Sequence, residues 1–133
     1  MTDDLRELFT FLSFPSVSTD SKHRQDVRDC AEWLIKKLSA MQLTTELHET
    51  PGHPIVIARN KHQADRKTVL IYGHYDVQPA DPLALWQSPP FSPEIRDGRI
   101  WARGATENKG QMLAHILGVA KTLEAKGELP VNL

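Results

Sequence analysis

Leu5, Leu8, Phe9 and Leu12 recur at the spacing of one helical face behind Thr2 or Asp3 as N-cap, which predicts a helix over residues 3–13. Phe14-Pro15-Ser16-Val17-Ser18 breaks that pattern. A second stripe, Val27, Cys30, Ala31, Leu34, Leu38 and Met41, predicts a helix from Arg24 to Met41. The pattern then changes to that of strands. Leu43 to Glu49, with Thr44 and Thr45 adding β propensity, and Ile55 to Ala58 flank the turn sequence Pro51-Gly52-His53-Pro54. After a polar connection over 60–67, Thr68 to Tyr72 is continuously apolar, as a strand covered on both faces would be. Residues 77–93 carry five prolines and predict no regular element. Ile95 to Ile100 reads as a hairpin, because Asp97-Gly98 supports the positive φ angles of a tight turn. Asn108 to Lys126 reads as a helix with Leu113, Ile116, Leu117, Ala120 and Leu123 as its stripe and Gly127 as its stop. Leu129 to Leu133 reads as the opening of one more strand.

Helices alternating with buried strands predict an α/β three-layer sandwich with a mixed, largely buried sheet flanked by helices. At 133 residues the chain has one domain's length, and the strand opening at 129–133 predicts that residues 1–133 are the N-terminal segment of a larger one. Composition narrows the function classes. Apolar residues at 40% and charged residues at 25% are ordinary for a globular chain, and a net charge of -1 gives no footprint for nucleic acid or an anionic membrane. No apolar run approaches a bilayer span, and Met1-Thr2-Asp3-Asp4 lacks the basic start of a secretory signal. The single cysteine, Cys30, has no internal disulfide partner, so a cytoplasmic location is expected. Its place on a helix stripe marks it as a buried structural thiol.

The candidate chemistry begins at His74 and Asp76. They stand two residues apart where the apolar run Val69-Leu70-Ile71-Tyr72-Gly73 opens into a loop, with Tyr75 directed to the opposite side. A metal-binding imidazole needs its second nitrogen satisfied, often by a carboxylate, and α/β sheets place their sites at strand ends. The triplet alone is weak: six His and nine Asp give roughly 0.4 such triplets by chance, and a satisfied surface histidine would look the same. Thirty residues on, the loop Ala102 to Gly110 carries Glu107 at the start of the last helix, where amide dipoles favour an anion and where a simple helix-end carboxylate is also expected. Lys109 and Arg103 are candidate substrate contacts, although isolated basic residues on a loop are usually just solvated.

Three ordered blocks carry a resemblance. Tyr72-Gly73-His74-Tyr75-Asp76-Val77-Gln78-Pro79, then Trp86-Gln87-Ser88-Pro89-Pro90-Phe91-Ser92-Pro93, then Asp97 through Gly110 resemble the N-terminal signature of the M20 metallopeptidases. That family includes carnosinase-like dipeptidases, aminoacylases, and acetylornithine and succinyl-diaminopimelate deacylases. The wording of the first two blocks is most similar to the dipeptidase branch. The resemblance implies hydrolysis of dipeptides or N-acyl amino acids by a site holding two Zn2+, with Mn2+ or Co2+ as substitutes. It implies that His74 is a zinc ligand, that Asp76 orients it, and that Glu107 stands where the family has a bridging aspartate. The longer glutamate is a departure from the pattern. It further implies that the general base and a ligand come from a Glu-Glu pair, that another acidic ligand and a distant histidine complete the site, and that a separate domain covers it. A homodimer is compatible with this reading. The chain ends before any of those later residues, so residues 1–133 alone are expected to be inactive. The rival reading is a non-catalytic α/β module that binds a partner or a single metal through the same loops.

Overall fold

Thr2 accepts a hydrogen bond from the Leu5 amide and so starts a first helix, α1 (Asp3–Ser13), in a computed structural model that describes all of residues 1–133. A short 3-10 turn (Ser21–His23) leads into α2 (Arg24–Ala40), and α3 (Lys109–Lys126) follows far along the chain. The apolar stripes of these three helices meet in the core. Phe11, Cys30, Leu34 and Leu113 are its fully enclosed members, and Leu8, Phe14, Trp33, Tyr75, Met112, Ile116 and Leu117 pack around them. The Phe11 ring stacks on Trp33 at 5.1 Å between centroids. Each large side chain so enclosed contributes about 1.5–3 kcal/mol relative to an exposed position. Cys30 is fully buried and free, and burial pushes its thiol up to about 11, in keeping with a structural role.

An antiparallel pair, β1 (Thr44–His48) and β2 (Ile55–Arg59), in register Thr44↔Arg59 through His48↔Ile55, packs against α2, and Val56 of β2 reaches the core cluster. α2 stops one residue before the predicted Met41 and leads to β1 through Gln42, whose φ is 61°. A second pair, β3 (Glu94–Arg96) and β4 (Arg99–Trp101), is the predicted hairpin, with Asp97 at φ 51° and Gly98 at φ 71°. Helix α3 ends at Gly127, which is left-handed as the sequence required.

One predicted strand is corrected. Residues 68–72 form no ladder and are not covered on both faces: Leu70 is 90% and Tyr72 84% exposed. The run meets a neighbouring segment only at a parallel bridge between Thr68 and Asn132, where Val69 donates to the Asn132 carbonyl and Asn132 donates to the Lys67 carbonyl. On its other side Leu133 accepts from the Asn60 amide, so residues 131–133 lie between the end of β2 and the start of the run. Beyond that bridge the two edges separate around an apolar cavity of about 620 Å³, lined by residues that include Ile55, Ile57, Val69, Ile71, Met112 and Ile116. A continuous apolar run becomes a buried strand only where hydrogen-bonding neighbours flank it. The α/β class itself stands.

Candidate metal centre

The break after α1 supports the segment that carries His74 and Asp76. Val77 pairs with Val17 in a parallel bridge and donates to the Ser16 carbonyl at 2.9 Å, and the Ser16 hydroxyl donates to the Tyr75 carbonyl at 2.6 Å. Ser16 and Val77 are both buried, which shields these bonds from water. Tyr75 packs against the core and its hydroxyl donates to the Pro54 carbonyl. Because alternate residues of an extended segment point to opposite sides, His74 and Asp76 face outward together.

The imidazole stands between two carboxylates. His74 Nδ1 is 3.0 Å from Asp76 Oδ1, and His74 Nε2 is 3.0 Å from Glu107 Oε1. The second oxygen of Asp76 accepts from the Ser18 hydroxyl at 2.5 Å, so both of its oxygens are engaged. The Asn108 side chain accepts from the His74 amide at 3.3 Å and ties the two loops together. Burial disfavours the charged ring, but the hydrogen bonds to Glu107 and Asp76 outweigh it and hold the His74 pKa above the ordinary histidine value. Both nitrogens can donate at once only in the protonated ring, which is the state two flanking carboxylates favour.

Glu107 is brought to His74 by a loop folded against the first turn of α3. The Gly110 amide donates to the Gly104 carbonyl at 3.3 Å, and a methyl group at Gly110 would stand 2.0 Å from the Ala105 oxygen. Only glycine fits there. Lys109 is a correction to the expectation of a solvated loop residue. It begins α3, is 0% exposed, and donates through Nζ to the carbonyls of Phe11 at 3.0 Å and Phe14 at 2.8 Å. These are carbonyls at the end of α1 that the helix itself leaves free. Burial lowers the Lys109 pKa to about 8. Arg103 also points to protein: it donates to the Pro79 carbonyl at 3.1 Å and lies over the Trp86 ring. The structure thus joins His74, Asp76 and Glu107, and it diverts Lys109 and Arg103 to support.

Sequence reasoning missed Ser16, Ser18 and Asn108. Each is a small polar residue on a loop, and its partner is 34 to 59 residues distant in sequence. No local pattern marks such a pairing.

The donor chemistry fits a divalent ion of the zinc type. An imidazole nitrogen and a carboxylate oxygen are its ordinary ligands, and two ligands about 2.0–2.2 Å from one tetrahedral zinc lie roughly 3.4 Å apart. His74 Nε2 and Glu107 Oε1 are a few tenths of an ångström closer than that. Asp76, with both oxygens occupied, is placed to orient the ring. Asp76 lies on the far nitrogen of the ring, and no group of three or more His, Cys, Asp or Glu side chains is arranged to hold one metal ion.

The family model described as peptidase family M20/M25/M40 matches residues 70–133, the stretch that holds His74, Asp76 and Glu107. A metallo-carboxypeptidase of the M20 family from Sulfolobus solfataricus superposes with a TM-score of 0.89 at 38% identity, over 99% of this chain and 29% of that one. The chain belongs to the M20 peptidase family. Human carnosine dipeptidase 1 superposes with a TM-score of 0.91 at 28% identity, over 98% of this chain and 30% of that one. The Cys-Gly metallodipeptidase of Schizosaccharomyces pombe is 33% identical over 133 residues, which span 92% of this chain and 28% of that protein. This M20 chain therefore spans under a third of the length of the relatives it matches. None of its helices is long and apolar enough to cross a membrane.

Proposed function

We propose that this chain supplies the histidine–carboxylate half of a metal-dependent hydrolase site that cleaves small peptides or N-acyl amino acids. The observation that carries the reading is the His74 ring held between Asp76 on Nδ1 and Glu107 on Nε2. With Asp76 accepting the Nδ1 proton, the Nε2 lone pair is left for a metal, and Glu107 offers a carboxylate beside it. When a zinc, manganese or cobalt ion is bound, what it supplies is polarisation of the scissile carbonyl and a lowered pKa for bound water. The relatives compared above are dipeptidases and a carboxypeptidase by name, which supports a small peptide substrate. On this reading the general base and the remaining ligands come from outside residues 1–133, in a protein that acts in the cytoplasm. Glu107, one methylene longer than aspartate, would reach further from its loop to hold such an ion.

Zinc titration of the chain tests the reading. Two protein ligands, where complete sites use three or four, give binding weaker than about micromolar. That binding should disappear in His74→Ala, and no dipeptide should be turned over. Zinc binding unaffected by His74→Ala, or hydrolysis that copurifies with the chain, would overturn it. One observation favours a second reading, a module that holds a single metal or a partner: only two candidate donors face each other here. A tight, single-site zinc isotherm with no gain on adding the remaining portion of a longer M20 chain would favour that module.

A further inference from the structure

Asp76 is flanked by a second polar side chain that none of the foregoing roles uses. Ser18 lies 58 residues away in sequence, beyond the break after α1, and its hydroxyl donates to Asp76 Oδ2 at 2.5 Å. The Ser18 backbone is held in turn, because its carbonyl is 2.8 Å from His53 Nε2. On the near side, the Ser16–Val77 and Ser16–Tyr75 bonds fix the same strand segment from which Asp76 projects. Without Ser18, one oxygen of Asp76 would be free and the carboxylate could rotate about its side-chain torsions, which are broad for a terminal carboxylate.

We propose that Ser18 is a positioning residue for His74: it locks the Asp76 carboxylate so that the imidazole proton stays on Nδ1 and Nε2 faces Glu107. In the neutral ring only one nitrogen carries a proton, and two carboxylates compete for it, Asp76 at Nδ1 and Glu107 at Nε2. Glu107 is largely exposed and hydrated, whereas Asp76 is held by its second oxygen. A fixed acceptor loses less conformational freedom when it accepts the N–H hydrogen bond, so the locked carboxylate wins. Releasing it removes that advantage. The inference rests on the proposed metal role of His74 for its meaning, but the tautomer can be read without any metal.

The experiment is nitrogen-15 NMR of the imidazole in the metal-free chain at a pH where the ring is neutral, followed by zinc titration. In the wild type the Nδ1–H tautomer dominates. In Ser18→Ala the ratio of Nδ1–H to Nε2–H falls about fivefold, the equivalent of one ordinary net hydrogen bond. Zinc affinity falls about tenfold, as for loss of an outer partner of a ligand. Ser18→Thr, which keeps the hydroxyl, restores both. If Ser18→Ala does not fold, Ser18→Cys keeps the shape with a weaker donor and gives a change of the same sign. Protection of the Val77 amide against hydrogen exchange is unchanged throughout. An unchanged tautomer ratio in the folded variant overturns the proposal. So does failure of Ser18→Thr to restore it, or loss of Val77 protection, which would make Ser18 a holder of the loop and nothing more. Absence of any zinc response in the wild type counts against the metal site, and the tautomer ratio still decides the role of Ser18.

Discussion

Two glycines of α3 are predicted to respond to alanine with opposite signs. At Gly118 an added methyl meets nothing within 4 Å. The substitution there should stabilise the chain by about 0.5–1 kcal/mol, the ordinary gain from replacing glycine in a helix interior. At Gly110 the same methyl stands 2.0 Å from the Ala105 oxygen and 3.1 Å from the Ala105 carbonyl carbon. Ordinary contact lies near 3.5 Å, so backbone must yield by more than an ångström. Overpacking of that kind costs about 1–3 kcal/mol. Loss of the bond from the Gly110 amide to Gly104 adds roughly 1 kcal/mol. Set against the helix gain, Gly110→Ala should be destabilising by about 1–3 kcal/mol. The loop that yields is the one carrying Glu107, so the His74–Glu107 contact should loosen as well. Urea unfolding followed by Trp33 fluorescence measures both variants, since Trp33 stacks on Phe11 in the core. A Gly110→Ala chain as stable as Gly118→Ala would refute the account of why this loop sits against α3.

Two more outcomes follow from burial and exposure. The Cys30 thiol stays protonated in the folded chain up to about 11, whereas in the unfolded chain it ionises near 9.0, so its contribution is present below pH 9 and is lost as pH rises from 9 to 11. The loss amounts to about 3 kcal/mol, and stability measured across that window should fall less steeply in Cys30→Ala; parallel slopes would contradict it. Leu70 and Tyr72 expose most of their surface on an edge that has a single bridge, so the chain should associate with rising concentration. Light scattering should show Leu70→Lys with Tyr72→Lys to be more monomeric, and a monodisperse wild-type monomer would contradict the prediction.

Local pattern located α1, α2, α3 and the Asp97-Gly98 hairpin, because a helix stripe or a two-residue turn is a local property that a few neighbouring residues specify. His74 and Asp76 were legible for the same reason: the pair lies within one extended segment, and its spacing sets which side each faces. Glu107 was legible as a helix-start carboxylate, but its approach to His74 depends on a loop that packs without a Cβ at Gly110, which only the three-dimensional arrangement reveals. The strand character of residues 68–72 was misjudged, since hydrogen bonding to neighbours decides whether an apolar run is covered, and those neighbours are distant in sequence. Lys109 was misjudged in the opposite direction. Nothing beside it in the chain signals that the carbonyls of Phe11 and Phe14, 98 and 95 residues away, will receive its ammonium group. Local geometry thus determined the elements and the His74–Asp76 pair, while tertiary packing decided which polar groups support it, because a buried donor finds its acceptor only after the helices have met.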